Sequence, residues 1–329
     1  MEPNIGMVDK IAVEEHFLPP ELVADVPNED PGFGPEVWAK VTDRLTDVEH
    51  RIDDMDRHGI EMSVLSLPTP GLQGLPDPLR AIELAGQANA ALADMVAVAP
   101  TRFAGLAALP MQSPEAAAEE LRVAVTERGL AGALINGFTD AAGDSGPLYY
   151  DAEEYWPMWA EAARLGVPVY LHPRNPVQEL RRGYQGRTEL LGPAWAFGVE
   201  TATHALRLIA SGLFDRLPDL TLILGHLGET LPFAIQRFDQ CIRAVSGRHL
   251  ERSAVECLRQ NFVVTTSGNY HTPTLIGVLL EMGAERVLFA ADYPFVPTSA
   301  AVDWFDALPI STDDRRKIGR ENARTFLRI

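Results

Sequence analysis

Eight short apolar segments recur along the chain, separated by longer segments with helical patterns. The segments are 11–16, 61–67, 103–109, 130–136, 167–172, 220–226, 262–267 and 286–292. Several of them, such as VPVYL, LTLIL and RVLFA, are almost continuously apolar. Runs of this kind are typical of parallel strands buried on both faces, whereas half-exposed antiparallel strands alternate apolar and polar residues. The sequence therefore predicts a parallel sheet.

The segments between the predicted strands have helical spacing and helical boundaries. Val48, Ile52 and Met55 recur on one face of a predicted helix. Ser113 followed by Pro114 predicts an N-cap and a first helical position. Strand and helix therefore alternate along the chain, which predicts either a closed (β/α)8 barrel or an open doubly wound sheet.

The number of strands favours the barrel. Eight strands over about 280 residues suit a (β/α)8 TIM barrel, and no GxGxxG motif follows the first strand to favour an open dinucleotide-binding sheet. Without a composition shift that marks a linker, we predict one domain over residues 1–329. The long connections 17–47 and 174–196 follow predicted strands one and five, so both are candidate walls of an active site.

Charge and cysteine content exclude several classes of function. The net charge of −18 argues against a nucleic-acid surface, which needs clustered Lys and Arg. The two cysteines, Cys241 and Cys257, have no ligand spacing and fit a reducing compartment. No signal-peptide pattern and no run of 18 apolar residues occurs. We therefore expect a cytoplasmic protein that binds neither nucleic acid nor membrane.

Residues of metal-ligand type end four predicted strands, in the sequences EEHF, LHPR, LGHLGE and AADYPF. Alternation along a strand puts Glu14 and His16 on one side and Glu15 on the other. With His172 and Asp292, these two residues would converge on the C-terminal mouth of a barrel, as a divalent-metal site requires. The alternatives are a solvated strand end for EEHF, a core role for the histidine and an N-cap role for the aspartate.

His226 and Glu229 lie three residues apart in GHLGE. At that spacing the carboxylate could hold the imidazole in one tautomer, as metal sites and acid–base catalysts both require. The alternative is a loop histidine beside a glutamate that starts a helix.

In the motifs EEHF, LHPRNP, LGPAWAF, LGHLGE, TTSGN, DYPF and GRENAR, the chain resembles the amidohydrolase-type non-oxidative decarboxylases, a group that includes the γ-resorcylate (2,6-dihydroxybenzoate) and 2,3-dihydroxybenzoate decarboxylases. The resemblance covers nearly the whole chain. It implies a (β/α)8 barrel with one Zn²⁺ or Mn²⁺ and assembly as a homotetramer or homodimer. It also implies metal ligation by Glu14, His16, His172 and Asp292, and a catalytic pair of His226 and Glu229.

The same resemblance implies five substrate contacts, which are Phe33, Asn136, Phe197, Arg237 and Phe295. Aromatic side chains can sandwich a benzene ring, and an arginine can pair with a phenolate or carboxylate. The phenylalanines could instead belong to the core, and Arg237 could pair with Asp239 on a solvated helix face.

The activity implied by the resemblance is conversion of an o-hydroxybenzoate-type acid to the phenol and CO2. The metal would chelate the carboxylate and the ortho hydroxyl, Asp292 would protonate the ring carbon that bears the carboxylate, and CO2 would then leave. His226 and Glu229 would position a substrate oxygen and relay protons. The chain departs from the family pattern at AADYPF, where the close decarboxylases have a TDWPF-like sequence, and this leaves the accepted ring substituents open.

Two other functions fit the same residues. A hydrolase of an ester, lactone or amide would use a metal-bound water with His226 or Asp292 as base. A binding or scaffold protein would hold a structural metal, although a complete ligand set with an additional His/Glu pair argues against that role.

Overall fold

The computed structural model describes residues 9–26, 34–140, 148–245 and 250–329. Its strands lie in the eight predicted segments to within one residue, and one segment contains two of them. They are β1 (Lys10–His16), β2 (Ile60–Ser66), β3 (Phe103–Gly105), β4 (Ala107–Ala108), β5 (Ala133–Asn136), β6 (Val169–His172), β7 (Leu222–Leu224), β8 (Phe262–Thr265) and β9 (Val287–Leu288). Every pair of neighbouring strands is parallel.

β3 and β4 are two halves of one strand, interrupted at Leu106. The Leu106 amide donates to the carbonyl of Leu65 at 2.9 Å, and the next amide, of Ala107, donates to Gly132 on the opposite side at 2.8 Å. The strand order therefore continues from β1–β2–β3 into β4–β9.

Hydrogen bonds between β1 and the chain after β9 close the ring. Val13 donates to the carbonyl of Phe289 at 3.1 Å, and Asp292 donates to the carbonyl of Glu14 at 3.0 Å. The predicted parallel α/β barrel is thus confirmed. In a barrel of this kind the C-terminal ends of all strands meet at one mouth.

Helices surround the barrel. They are α1 (Pro35–Thr46), α2 (Val48–His58), α3 (Pro78–Val98), α4 (Pro114–Thr126), α5 (Trp156–Leu165), α6 (Ala196–Ala210), α7 (Leu213–Arg216), α8 (Leu231–Val245), α9 (Ala254–Asn261), α10 (Thr272–Met282), α11 (Thr298–Asp306), α12 (Thr312–Arg316) and α13 (Asn322–Leu327). Ser113 precedes α4 as predicted, but its side chain makes no capping hydrogen bond. Among the described residues, no helix combines the length and the apolar character needed to cross a membrane.

The two long connections carry structure of their own. The connection after β1 contains α1, and the connection after β6 contains the short 3-10 helices Leu180–Tyr184, Thr188–Leu190 and Gly192–Ala194. Both connections begin at the mouth of the barrel, because each follows the C-terminal end of a strand.

Alternate strand residues face two different apolar cores. Tyr170 and Ile223 belong to the cluster inside the barrel, whereas their neighbours Leu171 and Leu224 belong to the larger cluster between strands and helices. Because both faces of the strands are buried, the strand sequences are continuously apolar.

A register shift in β1 breaks this alternation next to the predicted ligands. Ile11 and Val13 face the barrel interior and Ala12 faces the helices. The pairing of β1 with β2 shifts between Ala12 and Glu15, and the Glu14 side chain, like that of Val13, points into the barrel. Bulges of this kind re-aim side chains at active sites.

Gly132 lies so close to the segment that precedes β6 that only glycine fits at this position. A Cβ atom at Gly132 would lie 2.4 Å from the carbonyl oxygen of Pro168. We expect Gly132→Ala to lower the free energy of unfolding by about 1–3 kcal/mol. Gly86→Ala is the matched control, because a Cβ there would meet no atom within 4 Å and Gly86 lies inside α3. This control should raise stability by about 0.5–1 kcal/mol. Equal effects of the two changes in denaturant unfolding would contradict the proposed close approach.

Candidate active site

The predicted ligand residues meet at the mouth of the barrel. Glu14 and His16 lie at the end of β1, and His172 is the last residue of β6. His226 follows β7 and Asp292 follows β9. The five side chains come from four different strands, and the parallel sheet brings the ends of those strands together.

The ligand atoms of these residues are close enough to share one ion. His172 Nε2 lies 3.4 Å from Glu14 Oε1, and His16 Nε2 lies 3.6 Å from Asp292 Oδ1. His226 Nε2 lies 3.7 Å from the same Glu14 oxygen. Within each of the groups Glu14–His16–His172 and Glu14–His226–Asp292, the ligand atoms lie within 4.8 Å of one another.

Two buried atoms in this cluster have no hydrogen-bond partner, which fits a metal site. Glu14 Oε1 and His16 Nε2 are both fully buried and unpaired. Buried polar atoms in proteins are almost always paired, so these two atoms require another partner. Imidazole nitrogens and carboxylate oxygens are the donors that Zn²⁺ and Mn²⁺ accept. The residues present therefore fit one divalent cation.

The pKa values of Glu14 and Asp292 also favour a bound cation. Burial raises the pKa of Glu14, but its interactions with His226, His172 and His16 outweigh burial and lower it overall. Burial and the neighbouring charge of Glu14 raise the pKa of Asp292 well above its ordinary value. A second negative charge beside Glu14 is thus costly for the protein alone, and a bound divalent cation would remove that cost.

Three hydroxyl groups hold the second oxygen of Glu14. Oε2 accepts hydrogen bonds from Tyr170 Oη, from Ser267 Oγ at 2.5 Å and from Thr265 Oγ1 at 3.2 Å. Oε1 is therefore the oxygen that faces the histidines. These hydroxyl groups were not predicted, although a tyrosine inside the apolar run VPVYL and the polar sequence TTSGN were visible signals.

The Nδ1 atom of each histidine has a different neighbour. His226 Nδ1 lies 2.7 Å from Glu229 Oε1, as the i, i+3 spacing predicted. His172 Nδ1 lies 2.7 Å from the amide oxygen of Asn136. Burial lowers the pKa of His226, but Glu229, Glu14 and Asp292 outweigh burial and raise it to about 10. These carboxylates therefore favour an imidazole with a proton on each nitrogen.

An unusual backbone places His226 and Glu229 together. All five residues from His226 to Thr230 have positive φ, between 52° and 84°. L-residues other than glycine pay about 1–2 kcal/mol each for this left-handed conformation. Such strain persists at functional sites because the surrounding structure holds it. This left-handed segment joins β7 to α8 and directs the side chains of His226 and Glu229 toward the barrel mouth.

A cavity of about 170 Å³ lies over the cluster. Its lining comprises His16, Trp38, Thr69, His172, Pro193, Phe197, His226, Gly268, Asp292, Phe295 and Val296. Phe197 and Phe295 were predicted as contacts of an aromatic ring. Trp38 was not predicted, since nothing in its local sequence shows that α1 reaches the mouth. An adjoining cavity of about 440 Å³ shares Phe197 and His226 and opens toward Trp195 and Phe233.

Of the other three predicted contacts, two line neither cavity and one is not described. Phe33 lies outside the described residues. Asn136 is 1% exposed and lines neither cavity described above. Arg237 is exposed on α8 and also lines neither cavity. Its alternative partner, Asp239, instead accepts hydrogen bonds from Arg243 and from the backbone amide of Ala254.

Histidine and carboxylate ligands at the C-terminal mouth of a parallel α/β barrel define the class of metal-dependent barrel enzymes. A family model described as amidohydrolase matches residues 13–329. The chain belongs to this amidohydrolase family.

Individual relatives are decarboxylases. The chain is 50% identical to the γ-resorcylate decarboxylase of Rhodococcus jostii (strain RHA1), over 98% of this chain and 99% of the relative. It resembles a solved 2,6-dihydroxybenzoate decarboxylase in complex with 2,6-dihydroxybenzoate, with a TM-score of 0.93, 46% identity and coverage of 98% and 100%. A dihydroxybenzoic acid decarboxylase from Polaromonas sp. JS666, solved with manganese and 2-nitroresorcinol, gives a TM-score of 0.93, 47% identity and coverage of 98% and 97%.

We predict that Asp292 and His226 contribute differently to metal binding. We expect Asp292→Ala to lose both Mn²⁺ binding and activity, because it removes a carboxylate from the buried set. His226→Ala should retain the metal and lose activity, because the four other side chains still supply two carboxylates and two imidazoles. Metal content after gel filtration, together with turnover, measures both effects. Loss of the metal from His226→Ala would show that this histidine is a ligand.

Proposed function

We propose that the protein converts 2,6-dihydroxybenzoate (γ-resorcylate) to 1,3-dihydroxybenzene and CO2 in a reaction that depends on Mn²⁺. The observation that carries this proposal is the buried cluster with two unpaired ligand atoms at the base of an aromatic-lined cavity. The relatives that share about half of the sequence support the choice of acid.

Decarboxylation of a hydroxybenzoate, the reaction predicted from the sequence, is confirmed by the comparisons. Relatives at 50% and 47% identity, aligned over 98% of this chain, are γ-resorcylate decarboxylases. The identity of the acid is our proposal. The choice of Mn²⁺ over Zn²⁺ rests on the manganese in the Polaromonas structure.

Glu14, His16, His172 and Asp292 would hold the metal ion. When bound, a divalent cation in this position supplies Lewis-acid stabilisation of the charge on the substrate's carboxylate and ortho phenolate oxygens. With Asp292 ionised, the two carboxylates and two neutral imidazoles of this set carry a net charge of about −2, which matches the charge of such a cation. For the reaction, Asp292 takes up a proton, which it then delivers, and the net charge of the set is about −1 at that stage. The hydroxyl groups on Glu14 Oε2 keep its other oxygen directed at the ion site.

The cavity walls would orient the ring of the substrate. Phe197, Phe295 and Trp38 present aromatic surface to the space above the cluster. Aromatic faces stack on or pack edge-on against a benzene ring and exclude water from it. An aromatic lining of this kind suits the ring of a hydroxybenzoate.

Asp292 is placed to deliver the proton. Oδ1 faces His16 and Oδ2 lies 4.0 Å from His226 Nε2, so one oxygen can serve the ion and the other can face the ring. The carboxyl group transfers its proton to the ring carbon that bears the carboxylate. The bond from that carbon to the carboxylate then breaks, its electron pair restores the aromatic ring, and CO2 leaves. Solvent returns a proton to Asp292.

The order of these steps follows from ring chemistry. Loss of CO2 before protonation would leave an unstabilised aryl anion, whereas protonation first makes the departure of CO2 a rearomatisation. His226, held by Glu229 at 2.7 Å, presents its Nε2–H to the cavity and would hold a substrate oxygen during both steps.

Several further expectations belong to this proposal. We treat residues 1–329 as one domain, since the strands of the barrel extend from Lys10 to Leu288. Assembly as a homodimer or homotetramer, a cytoplasmic location and substrate contacts by Phe33 and Arg237 stay predictions. In this chain alone, Arg237 on α8 does not reach the cavity lining.

The proposed substrate is tested by direct comparison of related acids. Mn²⁺-loaded protein is incubated with 2,6-dihydroxybenzoate, 2,3-dihydroxybenzoate and salicylate, and the phenol and CO2 are quantified. We expect the highest kcat/KM for 2,6-dihydroxybenzoate, and we expect Phe295→Ala to reduce it by at least 10-fold through loss of ring orientation. Failure with all three acids, together with turnover of an aryl ester or a lactone, would establish the hydrolase alternative instead.

A further inference from the structure

Asn136 lies beside the cluster of predicted metal ligands and contacts one of them, His172, at its Nδ1 atom. It ends β5 directly opposite His172 at the end of β6, since the two residues are paired in the strand register. Its amide oxygen lies 2.7 Å from His172 Nδ1. An amide oxygen can only accept a hydrogen bond, so Nδ1 must carry a proton, and in the neutral ring Nε2 then has the free lone pair. Nε2 is the atom 3.4 Å from Glu14 Oε1, inside the ligand cluster.

We propose that Asn136 is a positioning residue that fixes the tautomer and the ring orientation of His172 for metal binding, and that Gln73 and Gly71 hold Asn136 in place for this role. The inference rests on the metal site proposed above. It replaces the substrate contact that the sequence predicted for Asn136, because this side chain lines neither cavity at the mouth.

Gln73 fixes the backbone of Asn136. Its side-chain oxygen accepts a hydrogen bond from the Asn136 amide at 3.0 Å, and its side-chain nitrogen donates to the carbonyl of Leu109 at 2.8 Å. Gln73 is 1% exposed, so both bonds are shielded from water. The side chain thus connects the end of the third barrel strand to the end of β5.

Gly71 fixes the side chain of Asn136 from the other direction. A Cβ atom on Gly71 would lie 2.4 Å from Asn136 Nδ2, and Gly71 has a φ of +55°. Both the space and the conformation therefore require glycine. With Gly71 against the amide nitrogen and His172 against the amide oxygen, the Asn136 side chain is confined between two neighbours.

The partner of Nδ1 also distinguishes His172 from His226. His172 donates to a neutral amide, whereas His226 faces the carboxylate of Glu229 at 2.7 Å. Either acceptor keeps Nδ1 protonated and orients the ring for a metal, but only the carboxylate also stabilises a second proton on the ring when no metal is bound. The two histidines would therefore have different tasks although their Nε2 atoms face the same Glu14 oxygen.

The test measures Mn²⁺ affinity, by calorimetric titration of the metal-free protein, separately from turnover. We expect Asn136→Ala to weaken Mn²⁺ binding by about 10- to 100-fold, as removal of such partners does in other metal sites. Asn136→Asp keeps an acceptor at the same position and should bind Mn²⁺ at least as tightly as the unmodified protein. Asn89→Ala is the matched control, because Asn89 is equally buried but bonds to the backbone of Ala108. This control should leave the Mn²⁺ affinity unchanged.

Two results would overturn the proposal. One is an Asn136→Ala variant with unchanged Mn²⁺ affinity and a raised KM, which would make Asn136 a substrate contact. The other is weaker Mn²⁺ binding by Asn136→Asp. This variant tests the proposal independently if Asn136→Ala does not fold. Failure of the unmodified protein to bind Mn²⁺ at all would instead reject the metal site of the proposed function.

Discussion

The structure depends on a carboxylate, Glu14, that is completely buried at the end of the first strand of a barrel. A buried charge is tolerated only where hydrogen bonds and opposite charges surround it. Hydroxyl groups from β6 and from the end of β8 satisfy one oxygen of Glu14, and the other oxygen faces His172 and His226. The Glu14 carboxylate thus connects three strands of the barrel and also takes part in the site.

Unusual backbone conformations place the other residues of the site next to the Glu14 carboxylate. The register shift in β1 directs Glu14 and His16 into the barrel together. The left-handed segment after β7 brings His226 and Glu229 within 2.7 Å of each other. Asp292 also has a positive φ, of 63°, at the junction where the chain after β9 bonds to β1. These strained positions surround the cluster, as is common where function determines the local conformation.

The sequence predicted the fold well because buried parallel strands leave continuous apolar runs and because ligand-type residues end four of them. It predicted β8 within two residues, since 262–267 contains Phe262–Thr265. It overestimated β9, where only Val287–Leu288 is regular, because the following residues leave the ladder to close the barrel. Spacing alone could not reveal the register shift, the reach of Trp38 from α1 or the burial of Asn136, since each depends on contacts between distant segments.

The central claim is that one divalent cation occupies the space between Glu14, His16, His172 and Asp292. Anomalous diffraction at the manganese absorption edge, from crystals of the Mn²⁺-loaded protein, tests this claim most directly. We predict one strong anomalous peak per chain, within coordination distance of Glu14 Oε1 and His16 Nε2, the two buried atoms that lack a partner. A peak elsewhere, two peaks at the mouth of the barrel, or no peak in protein that is active without added metal would contradict it.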